Sequence, residues 1–514
     1  MNLSQVLTST AAKHAHKDAI VFEGMPYTFQ DVFENVDRSA SLLKRLGVKK
    51  GDRVAIQLPK SMEFIFLHLA NLSIGGITLP LNTAYKGKEI EYFLRDSGSL
   101  LFVTDERNYL ELKSLIDGFT DLNCLLIDGA QTGAPFYWEE MEKIVEAELL
   151  DYCAQDDDVA IICYTSGTTG SPKGAMITHR NLVDNMRSLE AAWQWTERDL
   201  LLHVLPIFHV HGLEVALHGG LNAGSTIIMH EKFEPARVWR TVSEKHCTML
   251  MGVPTMYHRL LNQWEDLPQK PDIASIRVFI SGSAPLSENL FEKFHLATGH
   301  RILERYGMTE TGMITSNPIE AAARKAGSAG YPLPGVEIRV IGTDGKDVQP
   351  GEVGEVCIKG SNVFKGYWQN PLKTDESFMG SWLKSGDLGY QDPRDRMRLY
   401  LVGRSKEMII SGGYNVYPKE IENVIDRHAG VMESAVIGLA DDDFGERVAA
   451  VVVSKESDAQ PVESEIIEFC KETLAGYKCP KNVFFCRQLP RNAMGKIQKN
   501  ILVKRYKGLH PSAE

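Results

Sequence analysis

The residues best suited to chemistry lie in Tyr164 to Gly174, which reads Tyr-Thr-Ser-Gly-Thr-Thr-Gly-Ser-Pro-Lys-Gly. The stretch holds three glycines, a run of hydroxyls and one lysine. Glycine lets backbone approach a ligand closely and reach positive φ. Successive free N–H groups in such a turn form a concavity for an anion. Hydroxyls add donors, and Lys173 adds a charge that reaches a phosphate. An apolar run, Val159 to Cys163, precedes it. These features offer a polyphosphate a cradle at the end of a buried strand. The usual P-loop lysine motif does not fit, because Lys173 is followed by glycine rather than Ser or Thr.

Other reactive groupings follow. His209 and His211 stand at i and i+2 within Pro206 to Gly212, where they serve as packing histidines or as ligands of a metal. Glu304-Arg305-Tyr306-Gly307-Met308-Thr309-Glu310-Thr311 concentrates charge and hydroxyls. Lys384-Ser385-Gly386-Asp387 presents a carboxylate, the natural group to accept from both hydroxyls of a ribose. Arg404 follows in Val402 to Lys406, and Lys496 follows a glycine in Pro490 to Ile497.

Several elements must position these groups. Thr28 and Asp31 open a helix whose apolar residues run from Phe29 to Leu43, and Gly47 stops it. Arg53 to Leu58 alternates like a strand, and Ser61 opens a helix over Met62 to Ile74. Leu100 to Val103 and Cys124 to Ile127 are short apolar runs between helical segments, Leu200 to Leu205 reads as a buried strand, and Thr248 to Met251 and Arg277 to Ile280 read as strands that lead into loops. Alternating strands and helices predict an α/β layered architecture with parallel sheet. In open sheets of this kind, ligands bind beyond the carboxyl ends of strands. Small-residue loops at Gly252 to Thr255 and Ser281 to Leu286 therefore suggest one shared crevice. Beyond Lys406 comes a segment of about one hundred residues, a plausible small domain. Its strands are expected at Val431 to Ile437, Val448 to Val453 and Val483 to Cys486, with a helix at Val462 to Leu474.

The chain has 514 residues, which calls for two or more domains. It is 43% hydrophobic and 24% charged, with net charge -11, which speaks against a general nucleic-acid surface. Eight cysteines include no Cys-x-x-Cys pair, so zinc and redox motifs find no support. Neither a signal peptide, a membrane span nor a peroxisomal tripeptide is legible, and a cytoplasmic protein is expected. A homodimer or a monomer is expected.

Taken together, these segments resemble the adenylate-forming enzymes: acyl-CoA synthetases, peptide-synthetase adenylation domains and beetle luciferases. The resemblance implies a large N-terminal α/β domain, residues 1–405, and a small mobile α+β domain, residues 406–514. It implies ATP, Mg²⁺ and coenzyme A as cofactor and co-substrates. Thr165, Ser166, Gly167, Thr168, Thr169, Gly170 and Lys173 would hold the β- and γ-phosphates. Gly282, Ser283 and Ala284 would pass along the adenine, and Glu304, Arg305, Tyr306, Gly307 and Met308 would continue that wall, with Tyr306 stacking near the base. Thr309 would touch the α-phosphate. Glu310 would coordinate Mg²⁺, for which one carboxylate plus phosphate oxygens and water suffices. Asp387 and Arg404 would bind the ribose, and His209 would gate the acyl carboxylate. Lys496 would be the catalytic lysine of adenylation, Lys406 the hinge, and the turn at Gly412 and Gly413 the loop that enters for thioester formation. A non-catalytic nucleotide-binding relative would be marked by loss of Lys173, Glu310, Asp387 or Lys496, and all are present.

The resemblance extends furthest toward the malonyl-CoA and fatty acyl-CoA synthetase branch. A second carboxylate on the substrate requires a cation, best a bidentate arginine. Lys232, Arg259 and Lys293 are the candidates by neighbourhood. Val210 and Met308 would instead floor an apolar pocket for a medium- or long-chain, cyclic or aryl acid.

Overall fold

Local side-chain chemistry sets the helix starts. Thr28 accepts from Asp31 N, and the Asp31 carboxylate accepts from Thr28 N at 2.8 Å, which begins the helix Phe29–Arg45. Ser61 caps Met62–Ser73, and Thr178 with Asn181 caps His179–Trp193 in the same reciprocal way. Each cap satisfies backbone N–H groups that the first helical turn leaves without partners. The structure, a computed structural model, describes residues 1–128, 134–144, 154–165, 172–441, 444–455, 461–492 and 495–507.

Among the described residues the strands form sheets of fourteen, seven and five strands. The largest has a parallel centre in the order Asp18–Phe22, Thr226–Met229, Leu200–His203, Met249–Gly252, Val278–Ser281 and Leu303–Met308. These strands read as continuous apolar runs because both faces are buried. Leu201 and Met249 pack into one core, while Leu202 and Leu250 pack into another. After Leu303–Met308 the sheet turns antiparallel, through Gly312–Ser316, Ser328–Pro332, Arg398–Arg404 and Trp382–Asp392. The expectation of parallel sheet therefore holds at the centre, and antiparallel pairing replaces it toward that edge.

The seven-stranded sheet runs parallel through Asn123–Leu126, Leu101–Thr104, Arg53–Ile56, Ile77–Pro80 and Val159–Thr165. Lys173–Thr178 then returns antiparallel to Val159–Thr165. The five-stranded sheet belongs to the C-terminal part. Val431–Asp441 and Gly445–Ser454 form its long hairpin, and Asn482–Phe485 joins in parallel. Pro418–Ile425 and Glu463–Lys471 contribute to the core on one face, and Lys499–Tyr506 covers the other. This is the small α+β unit expected from the sequence. No helix among the described residues is long and apolar enough to cross a membrane.

Candidate active site

Hairpin register places the first motif. Thr165 lies opposite Lys173, so the two ends of the phosphate-loop stretch stand side by side. Ser166, Gly167, Thr168, Thr169 and Gly170 lie outside the described residues. The Lys173 ammonium sits 5.3 Å from the centre of the Tyr367 ring. Burial lowers its pKa, and the charges of Lys373 and Lys406 lower it further. The Tyr367 hydroxyl donates to Glu310 Oε1 at 2.9 Å. Tyr367 thus joins the lysine of one motif to the carboxylate of another. It arrives because Gly366–Tyr367 pairs with the edge of Lys173–Thr178.

Glu310 occupies the turn between Leu303–Met308 and Gly312–Ser316, beside the half-buried Thr309. Its carbonyl accepts from Phe364 N at 2.8 Å. Asn362 donates to Thr311 O at 2.9 Å, and Asn185 exchanges two hydrogen bonds with the Met313 backbone. The turn is therefore pinned from two elements. Burial raises the Glu310 carboxyl above the ordinary range, opposed by hydrogen bonds that include the one from Tyr367.

Asp387 and Arg404 face each other across Trp382–Asp392 and Arg398–Arg404. Arg404 Nε lies 3.0 Å from Asp387 Oδ1, and Tyr306 Oη donates to Asp387 Oδ2 at 2.6 Å. An ionised carboxylate has about four acceptor sites. Two remain, enough for the pair of hydroxyls on a ribose.

Lys496 is half-buried and comes from the small domain. Burial lowers its pKa, the Arg404 charge adds to this, and Asp387 and Glu407 oppose it. Its loop touches the large domain at Gly495, where a Cβ would stand 2.8 Å from Thr255 Oγ1. Gly495 also has φ +74°, so glycine is required on both counts. Arg427 Nη2 to Glu288 Oε2 at 3.0 Å and Asn289 Nδ2 to Asp426 O at 2.8 Å join the same two parts. Gly412 and Gly413 form the exposed tip of the hairpin Ile409–Ser411 and Tyr414–Val416. In this arrangement Lys496 lies within the field of Arg404 and Asp387.

A second cluster lies around Arg305, which is 3% exposed. Its Nε and Nη2 have no hydrogen-bond partner among the described residues. Burial pulls its pKa down to about 9. The guanidinium lies against Gly282, where a Cβ would stand 2.3 Å from Cζ. Burial holds His209 neutral, down to about 4, and pushes His211 well below its usual range, with the Arg305 charge contributing to both. His211 Nδ1 is 3.2 Å from Ser283 Oγ. Ser283 has φ +69°, a strained conformation for a residue with a Cβ. Glu304 Oε1 accepts from Leu286 N at 2.9 Å and steadies the same turn. Ala284 and Met308 are half-buried nearby in sequence, as is Gly307, whose lack of a Cβ lets Gly312 O approach. The three cations singled out by neighbourhood do not join this cluster. Lys232 pairs with Glu231 at the surface, and Arg259 and Lys293 are exposed.

Residues 7–368 match the family described as AMP-binding enzyme, and residues 420–496 match the AMP-binding enzyme C-terminal domain. The chain belongs to the AMP-binding enzyme family. Across 98% of its length this AMP-binding enzyme is 34% identical to the long-chain-fatty-acid–CoA ligase of Bacillus subtilis, covering 94% of that protein. It is 35% identical to the mitochondrial malonate–CoA ligase of Mus musculus, over 95% of this chain and 88% of that one. Its fold is similar to that of ATP-bound MatB from Rhodopseudomonas palustris, with TM-score 0.91, 41% identity and 99% of both chains covered.

Three features of this AMP-binding enzyme escape a reading of its sequence. Tyr367 carries no motif signal, since its place depends on strand pairing far from the phosphate loop. Glu214, in the π-helix His211–His218, is buried and lines a small cavity with Thr309, Glu310, Asn185 and Asn362. Its Oε1 lacks a partner among the described residues, and burial pushes the carboxyl to about 8. π-Turns of this kind are frequent at functional sites. Arg305 stands in the sequence among residues that the resemblance gives to the nucleotide, and its buried N–H groups without partners among the described residues are legible only in the fold.

Proposed function

We propose that this enzyme is an AMP-forming acid–CoA ligase whose acid is malonate or a similarly short dicarboxylate. The observation that carries the choice of acid is Arg305. An arginine buried with unpaired N–H groups is costly unless an anion meets it. A carboxylate does so with paired, charge-assisted hydrogen bonds. One carboxyl of the acid then reacts with ATP while the other rests on Arg305, with His209 and His211 beside it. A fatty or aryl monocarboxylate would leave those N–H groups bare in an apolar environment.

The first step joins a carboxylate oxygen to the α-phosphorus of ATP and releases pyrophosphate. Such a step needs positive charge placed where the phosphoryl oxygens gain negative charge. Lys496, Lys173 and the Thr309 hydroxyl are the groups we assign to it, with residues 165–170 as the phosphate cradle. Asp387 and Arg404 hold the ribose, and Tyr306 orients Asp387. The donor set suits Mg²⁺: Glu310 is a buried carboxylate, and no three His, Cys, Asp or Glu side chains converge among the described residues. A cation on Glu310 would complete its shell with phosphate oxygens and water and neutralise charge on the leaving pyrophosphate.

In the second step the thiol of coenzyme A attacks the acyl-adenylate carbonyl, and AMP leaves with the C–O bond electrons. Lys496 has no task there. The small domain, from Lys406 onward, would turn about the segment Ser405–Glu407 and exchange Lys496 for the Gly412–Gly413 hairpin. Domain steps of this type often limit turnover.

The test is AMP and acyl-CoA formation with ATP, Mg²⁺ and CoA across malonate, methylmalonate, acetate, hexanoate, palmitate, benzoate and cyclohexane carboxylate. The expected result is a preference for malonate or methylmalonate. A preference for any of the monocarboxylates overturns the reading of Arg305.

A further inference from the structure

Lys60 lies on the other large sheet, just beyond Arg53–Ile56, and is 7% exposed. No carboxylate forms an ion pair with it among the described residues. Its ammonium donates to His230 O at 2.8 Å and lies 3.4 Å from both His203 O and His203 Nδ1. His203 ends the strand Leu200–His203, and His230 follows Thr226–Met229. Lys60 therefore ties together the carboxyl ends of two neighbouring parallel strands, the side of such sheets where ligands bind.

These contacts fix a tautomer. The Gly212 carbonyl only accepts, so His203 Nε2 carries the ring proton, leaving Nδ1 to face Lys60, whose pKa burial lowers to about 7. Burial holds the ring neutral, at about 3, which keeps that arrangement. His203 Nε2 is 2.9 Å from Gly212 O and donates to it. Gly212 in turn is locked to the acyl loop. A Cβ there would stand 2.0 Å from Pro206 O, and its N–H donates to His209 O at 3.0 Å. Leu213 N donates to the same carbonyl at 2.8 Å, and His211 N donates to His209 Nδ1 at 3.3 Å. An unbroken chain of hydrogen bonds thus runs from Lys60 through His203 and Gly212 to His209.

We infer that Lys60 is a positioning residue for the acid. Acting through His203, it holds the Gly212 carbonyl and so sets His209 and His211 against Arg305. This rests on the reading that the acid binds between those histidines and Arg305. The alternative is a plain staple between two sheets, which would affect stability without selecting one substrate.

The experiment measures KM for the preferred acid, KM for ATP and thermal stability in Lys60→Met, His203→Leu and His203→Gln. Lys60→Met and His203→Leu should each raise the acid KM about tenfold while the ATP KM stays within about twofold. His203→Gln supplies an amide N–H in place of Nε2–H and should recover most of the loss seen in His203→Leu. If Lys60→Met does not fold, the pair at His203 carries the test. Equal changes in both KM values, or identical behaviour of His203→Leu and His203→Gln, overturns the inference. Failure of the Arg305 reading looks different: Arg305→Met would leave acid preference unchanged while the Lys60 and His203 variants still raised the acid KM alone.

Discussion

Replacing Arg305 with methionine separates binding of a second carboxylate from everything else the site does. Methionine has similar length and no charge. Arg305 is 3% exposed, and burial pulls its pKa to about 9. Holding that cation unpaired costs roughly 5 kcal/mol at most. A bound carboxylate offsets the cost, and breaking a buried charge pair by removing one partner loses about 2–5 kcal/mol. For malonate, kcat/KM of Arg305→Met should therefore fall by about 10²- to 10³-fold. Acetate and propionate, with nothing to place on Arg305, should react equally well or better. Thermal stability should hold or rise, because an unpaired buried charge has been removed. The assay is initial-rate AMP formation with each acid at saturating ATP and CoA, with a melting curve for each variant. A fall of the same factor for malonate and propionate would refute the reasoning, as would a lower melting temperature in the presence of a preserved preference for malonate.

Gly282→Ala should act on the same group from the other side. Its new Cβ would stand 2.3 Å from Arg305 Cζ, so the guanidinium must move; malonate should lose about tenfold or more in kcat/KM and propionate less. Lys496→Ala should lower acyl-adenylate formation by about 10²- to 10³-fold yet spare thioester formation from supplied acyl-adenylate, as read in separate half-reaction assays. Equal loss of both half-reactions would sink the proposed division of labour. Glu214 should make the fold pH-sensitive. Burial raises its carboxyl from 4.5 to about 8, so the unfolded chain gives up the proton first as pH rises. That contribution is fully present below about pH 4.5 and is lost by about 1.4 kcal/mol per pH unit up to about pH 8. Melting curves of Glu214→Gln should show a flatter decline across that window, and an unchanged slope would contradict the assignment.

The parts of the fold legible in the sequence are those set by short-range chemistry. Thr28 with Asp31 and Ser61 announce their helices because each cap is complete within four residues. The parallel strands of the large sheet announce themselves because burial on both faces demands unbroken apolar runs. The phosphate stretch was legible as chemistry but not as geometry. Whether a helix or a strand follows it depends on Val159–Thr165 accepting Lys173–Thr178 as an antiparallel partner, which a glycine-rich string does not specify. Lys60 and Glu214 gave no signal, since nothing local distinguishes a buried charge from the solvated lysines and glutamates that dominate a chain of this composition.

Arg305 shows how strand periodicity separates residues that are neighbours in sequence. Leu303–Met308 is a strand, and successive side chains of a strand point to opposite faces. Tyr306 donates to Asp387. Its neighbour Arg305 must therefore face the other way, toward Gly282 and the histidines at 209 and 211. Lys232, Arg259 and Lys293, the cations near in sequence, lie at the surface. On the face we propose for the acid, the pleat instead turns Arg305 toward Gly282. Space for it depends on a position without a Cβ, and Gly282 supplies that position from the next strand's loop. On the proposed reading, acid specificity and nucleotide binding lie on successive residues of one strand, so a substitution at Arg305 should change the acid without moving Tyr306 from Asp387.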